Sequence, residues 1–187
     1  MVIKGLRMVD DTKSFDCCSY TDRRSDLDTF VPQLIHYNQY YQSLLALYWP
    51  SYSTCQSAEK EYVIHGTCMP EKFREPYKYF DASVFLFEKY NIWTVLSQFN
   101  IQTGKDYVYS KSKFNQLLES RGFPATVNWN CESKDEPQML TSVDVCFSYV
   151  NNEFTQVACP LKSSSQCGNY LYFSDMPELS SGKGCPY

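Results

Sequence analysis

The sequence contains no long hydrophobic run and no cluster of lysine and arginine. No apolar stretch approaches the roughly 18 residues that span a bilayer, so we expect a soluble protein without a membrane partner. The net charge of −4 at pH 7 disfavours nucleic-acid packaging, because tight nonspecific binding normally needs a basic face that displaces counterions. An enzyme that binds a nucleic acid in a small local cleft remains compatible with this charge.

The sequence also lacks a C-x-x-C pair, and His36 and His65 are its two histidines. These absences argue against a structural metal centre, and we expect neither a metal nor another cofactor. The chain nevertheless has nine cysteines, a number that favours disulfide bonds and a secreted or vacuolar location. They stand at positions 17, 18, 55, 68, 131, 146, 159, 167 and 185.

Signal segments, glycosylation sites and repeats are absent as well. Residues 1–7 contain no hydrophobic signal sequence and the cysteine count is odd, so we interpret the N-terminus as processed or incomplete. No N-x-S/T sequon is present, so N-linked glycans are not expected. No repeat or low-complexity linker divides the 187 residues, and this length predicts one domain over residues 1–187.

Helical patterns occupy the middle of the chain and strand patterns follow them. Apolar spacing predicts helices over residues 29–48, 77–90, 92–99 and 110–121. Strands are predicted over residues 2–9, 126–131, 142–149 and 154–159, with Asn151-Asn152 as the turn between the last two. This order indicates an α+β fold, with helices on one side of an antiparallel sheet.

The most informative stretch is His65-Gly66-Thr67-Cys68, with Glu61 four residues before the histidine. It resembles the second active-site segment of the ribonuclease T2 family, F-W-x-H-E-W-x-K-H-G-T-C. The surrounding sequence strengthens this resemblance across nearly the whole chain, and plant-type members are the most similar. The further matching stretches are Ile3–Arg7 to I-H-G-L-W-P, Trp49-Pro50-Ser51 to W-P-S, Lys78–Phe80 to E-Y-F, and the C-terminal order of cysteines.

The resemblance implies a ribonuclease T2 fold and RNA as the partner, with no role for DNA or metal. In this family the 2′-hydroxyl attacks the adjacent phosphorus and leaves a 2′,3′-cyclic phosphate. Such a reaction needs a general base, a general acid and positive charge near the phosphoryl oxygens. By resemblance, His65 is the base and Glu61 is the supporting carboxylate. The remaining catalytic positions are substituted: Lys4 replaces the first-segment histidine, Lys60 the assisting histidine and Ile64 the supporting lysine.

The resemblance also implies pairings of the cysteines. Cys18, or Cys17 in its place, would join Cys68, and the C-terminal pairs would be Cys131–Cys167 and Cys146–Cys159. In plant-type relatives the residue like Cys55 pairs upstream of the first segment, where this chain has no residues. Cys17 and Cys185 are then the candidate partners of Cys55, and the family's first strand is expected to be missing.

Several functions remain open on this sequence. The leading hypothesis is a T2-type monomer with impaired catalysis, whose binding to RNA is weak or vestigial. The alternatives are a working RNA endonuclease with His65 as base and Lys4 or water as acid, a non-enzymatic storage or binding protein, and an unrelated secreted disulfide protein. Other interpretations of these residues are also open. Glu61 and His65 could be packing residues beside a disulfide. Lys4 and Lys60 could bind phosphate as point charges or could simply be solvated.

Overall fold

The computed structural model describes residues 2–18, 24–50, 57–123, 127–132, 135–161 and 165–175. The chain forms two compact units, the first reaching Lys89 and the second beginning at Tyr90. The single-domain organisation therefore stays a prediction. Within the described ranges, no helix combines the length and apolar character needed to cross a bilayer.

The first unit is helical and carries both segments of the candidate site. Short 3-10 turns follow its third helix at Gly66–Cys68 and Glu71–Phe73. Aromatic rings fill its interior, with Tyr79 and Phe80 both 0% exposed. Its helices are α1 (Arg24–His36), α2 (Gln39–Tyr48), α3 (Ser57–His65) and α4 (Pro76–Lys89).

The prediction of one continuous helix over residues 29–48 is wrong. Asn38 interrupts it between α1 and α2, in an extended conformation, and its side chain accepts a hydrogen bond from the backbone N–H of Tyr41 at 3.3 Å. An asparagine in this role satisfies a free N–H at the start of a helix. Ile35 before the break and Tyr41 and Leu45 after it are all buried. The apolar spacing in the sequence therefore continues across the break and does not reveal the helix boundary.

The second unit contains the remaining helices and the described strands. Its helices are α5 (Ile92–Ser97) and α6 (Lys111–Ser120), and its strands are β1 (Tyr109–Ser110), β2 (Asn128–Cys131), β3 (Gln138–Asp144), β4 (Cys146–Val150), β5 (Glu153–Val157) and β6 (Tyr170–Phe173). Four strands form a sheet in the order β1-β6-β3-β2, and β4 pairs with β5 as a separate hairpin. The pairings are antiparallel except for β3 with β6, which is parallel.

The α+β fold class is confirmed, and so are the helices at α4, α5 and α6 and the turn before β5. Asn151 and Asn152 both have positive φ, 52° and 67°, which suits a tight hairpin turn. Gly122 follows α6 with φ of 80°, as expected of a residue that ends a helix.

Two strand predictions need correction, and two strands were not predicted. The strand predicted over residues 142–149 is interrupted at Val145. Strand β3, which belongs to the four-stranded sheet, ends at Asp144, and β4 of the separate hairpin begins at Cys146. Residues 2–9 form no strand; Val9 makes a single bridge with Ser14. The short strands β1 and β6 lacked a local signal because they pair across a long separation, Tyr109 with Leu171.

Packing of α6 on the four-stranded sheet forms the core of the second unit. Phe114 of α6 is 1% exposed and stacks on Trp129 of β2 with 5.5 Å between ring centroids. The Trp129 indole N–H donates to Asn115 Oδ1 at 2.7 Å, so the buried ring keeps a hydrogen-bond partner. Leu118 and Leu171 complete the contact and are almost fully buried.

Candidate active site

Helix α3 presents Glu61 and His65 on the same face, because residues four apart are neighbours on a helix. The Nε2 atom of His65 lies 3.6 Å from Glu61 Oε2. The imidazole is largely enclosed, with its side chain 11% exposed, while the Glu61 side chain is 26% exposed. His65 is the last residue of α3, and a 3-10 turn at Gly66–Cys68 follows it immediately. The ring is thus held at a helix end beside one carboxylate.

A second carboxylate faces the other nitrogen of the same ring. Asp16 Oδ1 lies 3.0 Å from His65 Nδ1, and the carbonyl oxygen of Phe15 lies 3.4 Å from that nitrogen. Asp16 is not among the site residues predicted from the sequence, so this contact was missed. One available signal was the implied bond between Cys18 and Cys68, since it ties the residues after Asp16 to those after His65. The imidazole therefore lies between two carboxylates.

The segment that carries Asp16 is fastened to α3 at two points. Cys17 donates its backbone N–H to the carbonyl of Ile64 at 2.7 Å, and Cys18 forms a disulfide with Cys68. Cys17 has φ of 52° and keeps a free thiol. The structure thus selects Cys18, and not Cys17, as the partner of Cys68.

The first segment, residues 3–7, is hydrogen-bonded to α2 and α4. Ile3 donates its backbone N–H to the carbonyl of Tyr48 at 2.9 Å. Leu6 bonds twice with Tyr79: its N–H donates to the phenol oxygen at 3.2 Å, and the phenol donates to its carbonyl at 2.9 Å. Burial raises the pKa of Tyr79, so the phenol stays protonated as a donor. These bonds fix the backbone on both sides of Lys4 and Gly5.

Gly5 brings the first segment into contact with α3. A Cβ at Gly5 would lie 2.5 Å from Glu61 Oε2, closer than van der Waals contact allows. Because glycine has no side chain, the Glu61 carboxylate can pack against the backbone of Gly5, the residue that follows Lys4. Lys4 itself is exposed, and among the described residues no ion pair joins it to Glu61.

The other substituted positions lie on α3 but differ in exposure. Lys60 is exposed and Ile64 is half-buried. Ile64 is apolar and supplies no cation beside His65, and Lys60 is a flexible point charge instead of an imidazole. The structure therefore brings together His65, Glu61 and the backbone at Gly5, with Asp16 added on the far side of the ring.

Glu59 is a third carboxylate of α3, and it is buried in the first turn of the helix. The residue is 2% exposed, and neither carboxylate oxygen hydrogen-bonds to another of the described residues. Burial raises its pKa, opposed by its own backbone N–H and by the charge of Lys60. Nothing in the periodicity of the sequence separated this glutamate from an exposed one.

Two more disulfides lie in the second unit. Cys131 pairs with Cys167, joining β2 to the segment before β6, and Cys146 pairs with Cys159 across the hairpin of β4 and β5. With the bond between Cys18 and Cys68, the three pairings that the resemblance implied are present. Because the thiol of Cys17 is free, Cys17 is not the partner of Cys55; the other candidate pairing, of Cys55 with Cys185, lies outside the described residues.

Comparison with solved structures supports the same fold. The chain resembles trichomaglin, an S-like ribonuclease, with a TM-score of 0.69 and 22% identity over 95% of this chain and 82% of that one. It resembles an RNase-related protein from Calystegia sepium with a TM-score of 0.65 and 24% identity, covering 91% of this chain and 80% of that one. For ribonuclease MC1 from bitter gourd seeds the TM-score is 0.66, with 20% identity over 92% and 84% of the two chains. These likenesses establish the α+β architecture.

Comparison of sequences identifies the family. A "Ribonuclease T2-like" protein of Candida glabrata is 29% identical over 132 residues, which are 57% of this chain. The match spans 30% of that curated relative's own length. The sequence model of the ribonuclease T2 family matches residues 1–167, which are nearly the entire chain and include both segments of the candidate site. The chain therefore belongs to the ribonuclease T2 family.

Proposed function

We propose that this chain is a T2-family ribonuclease homologue in which RNA cleavage through a 2′,3′-cyclic phosphate is absent or very slow. The observation that carries the proposal is the single imidazole in the site. The chain has two histidines, and His36 lies exposed in the last turn of α1 with its ring against Tyr37. His65 is then left to serve a reaction that moves two protons.

The substituted positions account for most of the expected loss. A lysine at position 4 is a poor general acid near neutral pH, because the best catalytic pKa lies near the operating pH; a missing matched acid costs about 10²–10⁴-fold in rate. Ile64 removes a cation near the transferred phosphoryl group, for which deleted oxyanion donors suggest about 10²–10³-fold. Such losses need not multiply, yet either one leaves little activity.

The geometry of His65 and Glu61 favours a second candidate, a working RNA endonuclease. Their contact at 3.6 Å and the close approach of Gly5 keep one half of the reaction intact, with His65 as base and Lys4 or water as acid. A point mutant of ribonuclease MC1 was solved in complex with 5′-UMP, which makes this nucleotide a suitable binding probe. Nucleotide binding without cleavage would favour the remaining alternative, a binding or storage protein.

The disulfides support a location in an oxidising compartment, secreted or vacuolar, where such bonds persist. We propose that the chain acts there as a monomer and as one T2-type domain. Alkylation of free thiols in the purified protein, before and after reduction, tests the redox part of this proposal. Three described pairs predict at least six cysteines that react only after reduction, and fewer than six would contradict it.

Restoration of the missing groups tests the impaired-enzyme proposal. The double variant Lys4→His, Ile64→Lys is incubated with RNA across about pH 4–8, the range in which a histidine pair works, and the 2′,3′-cyclic phosphate ends are counted. We expect a gain of at least about 10²-fold over the unaltered chain. The variant Lys113→His, on the exposed face of α6, is the matched control and should gain nothing. A double variant no faster than this control would contradict the assignment of the defect to positions 4 and 64.

A further inference from the structure

The contact between Asp16 and His65 assigns Asp16 a role of its own. We infer that Asp16 is a positioning residue: its carboxylate holds the proton of the neutral His65 ring on Nδ1, and thereby leaves Nε2 as the nitrogen that exchanges protons with a substrate. The position of the ring proton follows from the geometry alone. The role of Nε2 toward a substrate rests on the proposed function.

The atoms around the imidazole decide where its proton resides. A neutral imidazole has one N–H donor and one acceptor nitrogen, and an ionised carboxylate can only accept. Two acceptors face Nδ1, with Asp16 Oδ1 at 3.0 Å and the Phe15 carbonyl at 3.4 Å. On the other side, Glu61 Oε2 is 3.6 Å from Nε2, beyond an ordinary hydrogen bond. The better acceptors therefore select the form with hydrogen on Nδ1.

The Asp16 side chain is 56% exposed, yet its backbone is fixed from both directions. Before it, residues 8–15 fold back on themselves, with the N–H of Phe15 donating to the carbonyl of Met8 at 3.0 Å. After it, the bond from Cys17 to Ile64 and the disulfide of Cys18 tie the chain to the end of α3. Ser14 also donates its hydroxyl to Asp16 Oδ1 at 3.4 Å. These bonds hold the loop in place, so that the Asp16 carboxylate lies beside the His65 ring.

With hydrogen on Nδ1, the Nε2 atom of His65 can accept a proton from a substrate. Nε2 lies on the side of Glu61, whose carboxylate contacts Gly5 of the first segment. In the proposed reaction the 2′-hydroxyl proton passes to Nε2 while the 2′-oxygen bonds to phosphorus and the bond to the 5′-oxygen breaks. The departing oxygen takes its proton from Lys4 or water. The imidazolium formed on His65 is then stabilised by Asp16 at Nδ1, in the manner by which a carboxylate supports a working histidine base.

Nuclear magnetic resonance of the ring nitrogens tests this assignment without RNA. Because the chain has two histidines, the variant His36→Gln leaves His65 as the sole source of imidazole signals. Long-range ¹⁵N–¹H spectra at about pH 8.5, above the range where an ordinary histidine titrates, report which nitrogen bears the hydrogen. We expect the Nδ1–H form as the major species, and its loss as the major species in Asp16→Ala. Asp11→Ala, an exposed aspartate of the same loop, should leave it unchanged.

Two results would overturn the inference. An Nε2–H form as the major species in the protein with Asp16 intact refutes it, and this measurement needs no variant at position 16. Persistence of the Nδ1–H form in folded Asp16→Ala also refutes it, since the Phe15 carbonyl alone would then suffice. In the Lys4→His, Ile64→Lys background, Asp16→Ala should lower kcat by about 10²–10⁴-fold with a smaller effect on KM. Failure of that background to cleave RNA would count against the proposed function and leave the ring assignment standing.

Discussion

Replacement of Glu59 by glutamine should stabilise the protein, and increasingly so as the pH rises. Glu59 is 2% exposed, and its carboxylate oxygens lack hydrogen-bond partners elsewhere among the described residues. A buried carboxylate without such partners is penalised when it ionises. Glutamine has nearly the same shape and cannot ionise, so Glu59→Gln removes the penalty while the packing of α3 is kept.

The sign and size of this effect on stability follow from the raised pKa of Glu59. Because burial lifts the pKa of Glu59 above its ordinary value of 4.5, the folded state binds more protons than the unfolded state between the two values. Stability is therefore greatest below the unfolded pKa and falls as pH rises through the folded one. The loss amounts to about 1.4 kcal/mol for each unit of difference between the two pKa values.

Urea denaturation of both proteins at steps between about pH 4 and 8 measures this effect, with the disulfides intact. We expect the free energies of unfolding to differ least at the acidic end, and the advantage of Glu59→Gln to grow toward neutral pH. Glu119→Gln, at an exposed position of α6, should stay within about 0.5 kcal/mol of the parent throughout. A difference for Glu59→Gln that is constant with pH, or of opposite sign, would refute the reasoning.

Three smaller changes probe other parts of the structure, each by the free energy of unfolding. Gly5→Ala places a Cβ 2.5 Å from Glu61 Oε2 and should cost about 1–3 kcal/mol; the cost should shrink in a Glu61→Ala background, and equal costs in both would contradict the contact. Phe114→Ala should cost about 3–5 kcal/mol and alter the fluorescence of Trp129, its stacking partner; a neutral result would refute the assigned core. Asn152→Gly should be neutral or stabilising and Asn152→Ala should cost about 1 kcal/mol, because φ is 67°; the reverse order would contradict the turn.

Elements with local signals were predictable from the sequence, and those that depend on distant partners were not. Gly122 and the Asn151-Asn152 pair specify a helix end and a hairpin turn through their own backbone preferences. Strand β1 exists because Tyr109 pairs with Leu171, a contact that no local pattern encodes. The break at Asn38 was missed because buried apolar residues continue on both sides of it, although asparagine favours helix starts.

The same division applies to the candidate site. Glu61 and His65 were predictable because both belong to one short motif on one helix face. Asp16 comes from a loop that reaches the ring through the backbone bond of Cys17 and the disulfide of Cys18. Glu59 was missed since its burial depends on how α3 packs, and a charged residue is ordinarily exposed.

The rate of RNA cleavage by the unaltered chain tests the central claim most directly. Purified protein, its His65→Ala variant and ribonuclease MC1 are incubated with the same RNA, and the release of 2′,3′-cyclic phosphate ends is followed in each. With one imidazole at the site, we predict a rate within about 10-fold of His65→Ala and at least about 10²-fold below ribonuclease MC1. A rate comparable to that of ribonuclease MC1, abolished by His65→Ala, would contradict the account.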